Sequence, residues 1–306
     1  MLFRSFNKIK LVGIVVIFSP SDDQILNITK LASGLNLLIV VDNTESEVGS
    51  LKSCEFPDNV QILINGNLGG IAGALNLGIK RAIALVGECV LFLLDQDSCL
   101  PNKFFRNQYA FAVHNNKKIV APKYYDINSK TYGNYTKLKK WTIVNIMGDK
   151  ATEPFEVTFA ITSGTLIFSS LFKEIGFFRE DYFIDHVDSE FCVRLQKHGY
   201  YILINTELIF DHAIGKRILK KFCGINFKPN FHPPIRRYYA VRNSLFMIFE
   251  YYKIFPSIIW LIFLRIGYEY LGIILFENNK IVKLKALIFG IWDGLNFRSG
   301  KCKRSF

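Results

Sequence analysis

The stretch LFLLDQDSCL at residues 91–100 sets two carboxylates directly after a run of apolar residues. Residues two apart in an extended chain share a face, so Asp95 and Asp97 would lie side by side at the end of a buried strand. Their negative charges repel unless a cation lies between them. A hard divalent cation such as Mg²⁺ binds one or two carboxylates together with phosphate oxygens. The pair therefore predicts a site for a metal-bound diphosphate, although aspartates are also common in surface turns.

A glycine-rich segment, NGNLGGIAG at residues 65–73, precedes a stretch with helical spacing. Small residues here would let a nucleotide approach the backbone at the start of a helix. The spacing departs from G-x-G-x-x-G, which argues against a dinucleotide-binding oxidoreductase. Close packing of the helix on a sheet explains the glycines equally well. Asp42, which ends another apolar run, could hold a base or a ribose, or only cap a turn.

Two further side chains could take part in a reaction. Asp188 lies at the predicted start of a helix, where the helix dipole favours the ionised carboxylate, so it is our candidate for a catalytic base. An aspartate that only caps the helix would show the same pattern. His212 follows a strand-like run and could bind a metal through its neutral imidazole, although a lone histidine is more often structural.

Short apolar runs and helical stretches alternate in the first part of the chain, which predicts an α/β fold with a mostly parallel sheet flanked by helices. The predicted strands are 11–18, 36–42, 60–65 and 89–95, and the predicted helices are 22–34 and 70–86. In such folds ligands bind at the carboxyl ends of the strands. Asp42, Asn65 and Asp95 stand at three of these ends, so we expect them to border one site.

The second part of the chain is less regular at first. Residues 119–160 predict loops and strands beside the site. The elements predicted after them are a strand at 159–170, a short helix from Leu171, a longer helix within 180–200 and a strand at 201–212.

The composition is that of a globular chain and excludes disorder: 306 residues, 50% hydrophobic and 21% charged. Its charge is uneven, because residues 216–306 carry 17 Lys and Arg against 4 Asp and Glu (+13), and residues 1–215 carry 21 against 22 (−1). We therefore predict a nearly neutral domain over 1–215, which carries the candidate site, and a basic, apolar helical region over 216–306. The 6 cysteines show no C-x-x-C pair, which favours reduced thiols in the cytoplasm.

The apolar tail at 244–276 bears on localisation. Its longest uncharged run, Ile254 to Leu264, is shorter than the roughly 20 residues that a membrane-spanning helix needs. Together with the positive charge, this favours helices that lie on an anionic membrane surface. The alternative is a buried core or an interface of a homo-oligomer. Because the basic residues alternate with aliphatic runs, we expect no nucleic acid partner.

Seven segments in a fixed order together resemble the family 2 glycosyltransferases, and within them the bacterial rhamnosyltransferases of surface-polysaccharide assembly. The segments are VVDN (40–43), NGNLGGIAGALNLGI (65–79), LLDQDS (93–98), TSGTLI (162–167), YFIDHVDSEFCVRLQKHGY (182–200), DHAIGK (211–216) and RRYYAVRN (236–243). The resemblance covers nearly the whole chain. It implies an A-type nucleotide-diphospho-sugar transferase fold and an inverting, metal-assisted reaction.

The resemblance also implies roles for individual residues in the donor site. Asp42 matches the residue that contacts the base, while Asn67 and Gly70 match residues that line the nucleotide pocket. Asp95 and Asp97 match the D-x-D pair, with Asp97 as the principal metal ligand. Further matches are Ser163 and Gly164, at the border of the sugar pocket, and Arg237 and Arg242, as phosphate contacts.

The remaining matches concern the reaction itself. His212 matches the second metal ligand, Asp188 the base that deprotonates the acceptor hydroxyl, and Glu190 a second acid of that motif. Two departures stand out: Ile17-Phe18-Ser19 replaces the usual Thr-Tyr-Asn after the first strand, and Val187 replaces an acidic residue before the base. Both bear on substrate detail more than on the class of reaction.

The resemblance leads to a specific expectation. The protein would transfer a deoxysugar, L-rhamnose from dTDP-L-rhamnose, to a lipid-linked saccharide on the cytoplasmic face of the inner membrane, in O-antigen or capsule synthesis, with Mg²⁺ or Mn²⁺. One alternative keeps the fold but transfers galactofuranose or a hexose from a UDP-sugar. Another is a non-catalytic scaffold that binds sugar nucleotides at the membrane.

Overall fold

The computed structural model describes residues 9–45, 55–212, 220–222, 225–227, 229 and 231–306. The strands are β1 (Lys10–Ile17), β2 (Leu37–Asp42), β3 (Val60–Ile64), β4 (Cys89–Asp95), β5 (Ile119–Asp126), β6 (Thr131–Tyr132), β7 (Asn134–Leu138), β8 (Ile143–Met147), β9 (Phe155–Val157), β10 (Thr165–Phe168), β11 (Ile202–His212), β12 (Lys220–Phe222) and β13 (Ile225–Phe227). The helices are α1 (Asp22–Ala32), α2 (Gly70–Val86), α3 (Phe104–His114), α4 (Ser170–Ile175), α5 (Val187–Lys197), α6 (Pro234–Tyr251), α7 (Ser257–Phe276) and α8 (Lys280–Leu295).

One large sheet organises the fold. Its strands follow the order β3-β2-β1-β4-β10-β5-β11-β9, and β6 pairs with β5. Strands β1 to β4 pair in parallel, as do β5 and β11, whereas β10 runs antiparallel between β4 and β5 and β9 runs antiparallel at the edge. The predicted α/β fold with a mostly parallel sheet is thus confirmed.

The apolar runs form strands because both faces of the sheet are covered. In β1, Ile14 and Val16 belong to one buried cluster, while Val15 and Ile17 belong to a second cluster on the opposite face. Each such side chain, once buried, contributes about 1.5–3 kcal/mol to the free energy of unfolding. This two-sided burial explains why continuous rather than alternating apolar runs marked the strands.

Two elements differ from the prediction. Helix α3 was not predicted, although its buried Phe104, Gln108 and Phe111 recur at helical spacing. The strand predicted at 159–170 is confined to Thr165–Phe168. It cannot begin earlier because Gly164 has φ +75°, in the left-handed region that strands do not adopt.

The C-terminal helices pack on one another through buried ions. Arg237 of α6 donates to Glu269 of α7 at 2.9 Å and to Glu277 at 2.5 Å, and Lys283 of α8 lies 2.7 Å from Glu277. Among the described residues, α7 is long and apolar enough to cross a membrane by length and composition, with mean hydropathy 1.8 over a window that is 22% buried. The predicted domain boundary at 215/216 lies outside the described residues.

Candidate active site

The order of the strands opens a crevice at one end of the sheet. The chain passes from β1 to β2 and β3 on one side, and then to β4 on the other side of β1. Ligands bind where the strand order reverses in this way, at the carboxyl ends. The register sets Asp42 beside Ile17 and Asp95 beside Val16. Since neighbouring strands lie about 4.8 Å apart, the backbones of Asp42 and Asp95 are roughly 10 Å apart across the end of β1.

Hydrogen bonds within the turn after β4 fix its shape. Ser98 Oγ accepts the N–H of Asp95 at 2.9 Å and lies 3.0 Å from Ser163 Oγ. Gly164 donates its N–H to Leu93 O at 2.8 Å, which anchors the 162–164 loop to the end of β4. Ser163 is buried, whereas the carboxylate of Asp97 is exposed and accessible to a ligand. The structure therefore places the turn that carries Asp95 and Asp97 against the loop of Ser163 and Gly164, and their roles in a donor site stay a prediction.

A chain of amides connects the ends of β2 and β3. Asn65 Nδ2 donates to Asn43 Oδ1 at 2.6 Å, Asn43 Nδ2 donates to Asn67 Oδ1 at 3.1 Å, and Asn67 Nδ2 donates to Glu45 Oε1 at 2.7 Å. The N–H of Asn65 also donates to Asp42 O at 2.7 Å. Asp42 and Asn67 thus border one edge of the crevice, beside the start of α2.

Gly70, the first residue of α2, is required by a close approach. It has φ +64°, and a Cβ atom at this position would lie 2.1 Å from Phe183 O. The next residue, Ile71, donates its N–H to the same carbonyl oxygen at 2.9 Å. The glycine-rich segment therefore joins the start of α2 to the loop that leads into α5, which explains its small residues by packing between elements.

Asp188 lies in the first turn of α5 and is partly buried. Burial raises the pKa of its carboxyl above the usual range of an aspartate, and the negative charge of Asp185 acts in the same direction. The N–H and hydroxyl of Ser189, which donate to Asp188 Oδ1 at 2.7 and 3.4 Å, and the positive charge of Arg265 oppose this rise. A carboxylate with a raised pKa is a stronger proton acceptor, as a general base requires.

Glu190, two residues further along the same helix, has a different environment. It is fully buried, its carboxylate accepts two hydrogen bonds from Arg194 at 2.9 Å, and it accepts a third from the hydroxyl of Tyr251 at 2.6 Å. These partners engage both oxygens, so Glu190 links α5 to α6.

The predicted metal ligands approach one another along the backbone. An isolated bridge pairs Cys99 with Asp211, which brings the end of β11 beside the turn that carries Asp97. The side chain of His212 lies outside the described part of the chain. Among the described side chains no group of three or more His, Cys, Asp and Glu forms a metal cluster. The oxygen donors of Asp95 and Asp97 are the type that Mg²⁺ and Mn²⁺ prefer, so the residues fit such a cation.

In the structure, Arg237 and Arg242 of α6, predicted as phosphate contacts, are both buried in contacts within the protein. Arg237 is buried in the ion cluster with Glu269 and Glu277, and Arg242 is buried with its guanidinium on backbone carbonyls, so we carry neither into the proposed donor site. Arg236, which the sequence did not single out, ion-pairs with Asp185 and is 37% exposed beside Asp188. The pair Arg236-Arg237 in the sequence gave no sign of which residue faces the site.

Residues near 300 also reach this region. Gly300 donates its N–H to Asp181 O at 2.7 Å, and Lys301 Nζ lies 2.9 Å from Glu45, which in turn accepts from Asn67. Both the Lys301 and Asn67 hydrogen bonds lower the pKa of Glu45. Nothing in the sequence pattern predicted these contacts.

The chain has a GT-A-like fold, a mostly parallel sheet flanked by helices with a crevice at the strand ends. Two solved structures share the fold. The crystal structure of GalNAc-T7 with UDP, GalNAc and Mn²⁺ matches at TM-score 0.52 and 13% identity over 77% of this chain. The crystal structure of S. aureus TarS matches at TM-score 0.51 and 14% identity over 78% of this chain. This chain covers 47% and 40% of those two chains, less than half of each.

Sequence comparison then gives the family. Residues 32–176 match the model of glycosyl transferase family 2. The dTDP-rhamnosyl transferase RfbF of Shigella flexneri is 30% identical over 94% of this chain and 96% of its own length. The hexosyltransferase Agl10 of low-salt glycan biosynthesis in Haloferax volcanii is 24% identical over 96% of this chain and 94% of its own length. The chain belongs to glycosyl transferase family 2 and is a glycosyltransferase.

Proposed function

We propose that this glycosyltransferase moves L-rhamnose from dTDP-L-rhamnose to a saccharide hydroxyl with inversion at the anomeric carbon. The observation that carries the proposal is the 30% identity to a dTDP-rhamnosyl transferase over 94% of the chain. The strand-end crevice with Asp42, Asn67 and Asp95 supports a nucleotide donor in that position.

In the proposed reaction the acceptor oxygen attacks the anomeric carbon, the bond from that carbon to the diphosphate breaks, and Asp188 accepts the acceptor proton. The raised pKa of Asp188 supports this role, because a more basic carboxylate takes the proton more readily. Asp97 and Asp95, with His212, would hold Mg²⁺ or Mn²⁺, whose positive charge would stabilise the departing diphosphate. No second acid is required, since the diphosphate leaves without protonation.

The first experiment identifies the donor. Purified protein is screened for thermal stabilisation by dTDP-L-rhamnose, UDP-galactose, UDP-glucose and UDP-galactofuranose, each with Mn²⁺. We expect a selective rise in Tm with the thymidine-linked donor, because ligands that bind only the folded state stabilise it. Stabilisation by UDP-sugars alone would contradict the choice of donor.

A second experiment follows the reaction. The protein is incubated with dTDP-L-rhamnose and a panel of octyl glycosides, whose alkyl chain stands in for a lipid, and the product is examined by NMR. We expect an anomeric configuration opposite to that of the donor and no product with Asp188→Asn. Unchanged turnover of Asp188→Asn would remove this residue from the mechanism.

A hexose from a UDP-sugar is the second candidate. The likeness to the Haloferax volcanii hexosyltransferase over 96% of the chain favours it. The lower identity, 24% against 30%, is the reason that rhamnose comes first. The same thermal screen separates the two candidates.

We further propose that the acceptor is lipid-linked and that the enzyme works on the cytoplasmic face of the inner membrane, in synthesis of a cell-surface polysaccharide. Helix α7 exposes Trp260 and Phe263 at 64% and 70%, and α8 exposes Ile281, Ile288 and Trp292 along one face. The net charge of +13 over 216–306 complements anionic lipids. A helix α7 that lies on the surface accords with the ion pair of Glu269, near its middle, to the protein body.

Sedimentation with vesicles tests this part. We expect binding to phosphatidylglycerol vesicles but little to phosphatidylcholine vesicles, with weaker binding at high salt because the charges are screened. The double variant Trp260→Glu with Phe263→Glu should lose most binding. Leu26→Glu, at a similarly exposed leucine of α1, is the matched control and should bind normally. Equal binding of both variants would contradict the assigned surface.

A further inference from the structure

The loop before Asp188 has an unusual backbone. Phe183, with φ 66° and ψ −66°, is the centre of a γ-turn of the rare, strained form, and the N–H of Ile184 donates to Tyr182 O at 2.8 Å to close it. Asp185 and His186 also have positive φ, at 61° and 60°. Non-glycine residues adopt this region rarely, and three within four positions persist only where surrounding contacts hold them.

Those contacts come from one side chain above all. Asn243 of α6 is fully buried, and its amide Nδ2 lies 2.9, 2.9 and 2.8 Å from the carbonyl oxygens of Tyr182, Ile184 and Asp185. The two amide hydrogens are therefore shared among the carbonyls on both sides of the γ-turn. An amide at this position stabilises the backbone conformation because it supplies donors to the carbonyls of Ile184 and Asp185 and adds one to Tyr182 O, which also accepts from Ile184 N–H.

The residues on either side of Asn243 complete the arrangement. Arg242 Nε donates to Asn243 Oδ1 at 3.0 Å, which fixes the orientation of the amide, and a second Arg242 nitrogen donates to Tyr182 O at 3.0 Å. Ser244 Oγ donates to Ala240 O at 2.7 Å, so it accepts from His186 Nε2, 2.9 Å away. Burial and the charge of Arg265 lower the pKa of His186 well below its usual range, which keeps the imidazole neutral.

These three consecutive residues act on the start of α5. His186 is the residue immediately before the helix, and Asp188 lies two positions later, so the direction of the Asp188 side chain follows from the conformation of 183–186. On the opposite side, Ile71 of α2 donates to Phe183 O. The loop is thus held between the helix that borders the nucleotide crevice and the helix α6.

We propose that Arg242, Asn243 and Ser244 form a positioning clamp that holds the backbone of 182–186 so that Asp188 faces the acceptor hydroxyl. This inference rests on the proposed role of Asp188 as the base. It assigns the buried arginine a task in geometry rather than in binding phosphate, and it makes Asn243 a positioning residue that touches no substrate.

Asn243→Asp is the test, because it keeps the size of the side chain and replaces the donating nitrogen by an oxygen. With dTDP-L-rhamnose as donor and water as acceptor, we expect kcat for dTDP release to fall about 100-fold, the effect of an ångström-scale displacement of a catalytic group. The KM for the donor should stay within about twofold, since the donor crevice is not altered. Ser244→Ala, which removes the contact to His186 together with the bond to Ala240 O within the same helix, should cause a smaller fall in kcat of the same kind.

The matched control is Asn59→Asp. The Asn59 amide also donates to two backbone carbonyls, those of Ala32 and Leu35, but at the opposite end of the sheet. This variant should lower Tm and leave kcat unchanged. If folded Asn243→Asp and Ser244→Ala both keep kcat within about threefold of the wild type, the clamp is refuted, whereas a fall in kcat confined to these two variants supports it.

Hydrogen exchange gives a readout independent of turnover. The amides of Ile184 and Glu190, which donate to Tyr182 O and His186 O, should exchange faster in Asn243→Asp and normally in Asn59→Asp. Unchanged protection of these amides would overturn the clamp even if the wild type transfers sugar. Conversely, failure of the wild type to use any donor, or full activity of Asp188→Asn, would overturn the proposed function. In that case hydrogen exchange in Asn243→Asp would still test the clamp.

Discussion

Replacing Arg237 by methionine separates a structural role from a role in binding the donor. Its side chain is 1% exposed and lies between Glu269 and Glu277, which themselves are 10% and 0% exposed. Methionine fills a similar volume but removes the positive charge. The two carboxylates then face one another with less compensation, and the packing of α6 against α7 is weakened.

The size of the effect follows from the partners that remain. Loss of one partner of a buried ion pair costs roughly 3–5 kcal/mol, because the other charge stays buried without compensation. Glu277 keeps Lys283 at 2.7 Å, and Glu269 keeps Arg265 at 3.8 Å. We therefore expect the lower end, about 3 kcal/mol. In a chain of this size, that loss lowers Tm by about 5 °C.

Differential scanning calorimetry measures Tm, and titration calorimetry measures the Kd for dTDP-L-rhamnose. Arg237→Met should lower Tm as stated and leave Kd unchanged. The neighbour Arg236→Met is the control, because its pair with Asp185 is partly open to solvent, 37% exposed at the arginine and 11% at the aspartate, and contributes less to stability than the buried cluster, about 1 kcal/mol. If Arg237→Met keeps its Tm within about one degree of the wild type and binds dTDP-L-rhamnose with a tenfold weaker Kd, the structural role is refuted and a contact of Arg237 to the donor phosphates is supported.

Three other predictions concern the crevice. Asp97→Ala should lose the part of the donor affinity that depends on Mn²⁺, measured by titration calorimetry with and without the metal. If the wild type itself binds the donor with the same Kd under both conditions, the metal role of Asp97 is refuted. Because burial raises the pKa of Asp188, turnover should fall as the pH decreases through a value above the usual aspartate range. Ionising this buried carboxyl costs stability above its unfolded pKa, so Asp188→Asn should raise Tm at neutral pH but not at pH 3. A Tm of Asp188→Asn below that of the wild type at neutral pH would contradict this reasoning. Gly70→Ala should lower both Tm and kcat, because the added methyl group meets Phe183 O, and a variant with normal kinetics would show that the 183–186 loop is free to move.

The sheet and the edge that carries the site were predictable because two-sided burial leaves continuous apolar runs, and polar residues mark where each run ends. Asp42 and Asp95 could thus be assigned to strand ends at the same edge of the sheet before their register was known. Side-chain direction within a helix was not predictable in the same way. Arg236 and Arg237 differ by one position, which is about 100° around an α-helix, and only the packing of α6 decides which one is buried.

The hydrogen bonds from Asn243 to the loop before Asp188 were also not predictable from the sequence. RRYYAVRN was recognised as a motif, but a side-chain amide that donates to three main-chain carbonyls leaves no periodicity or spacing to detect. The strained residues Phe183, Asp185 and His186 are ordinary residue types, and their conformation is imposed by distant contacts. Local pattern therefore predicts elements well and long-range polar contacts poorly.

The contacts of residues 300–301 have a consequence for synthesis in the cell. Lys301 pairs with Glu45 across 256 positions, and Gly300 donates to Asp181 O, so the edge of the crevice at Asn67 and the loop before Asp188 both depend on a segment far along the chain. Translation proceeds from the N-terminus, and such distant pairings form slowly. A nascent chain can therefore pair most of the sheet before the loop that leads to Asp188 acquires its contact from Gly300.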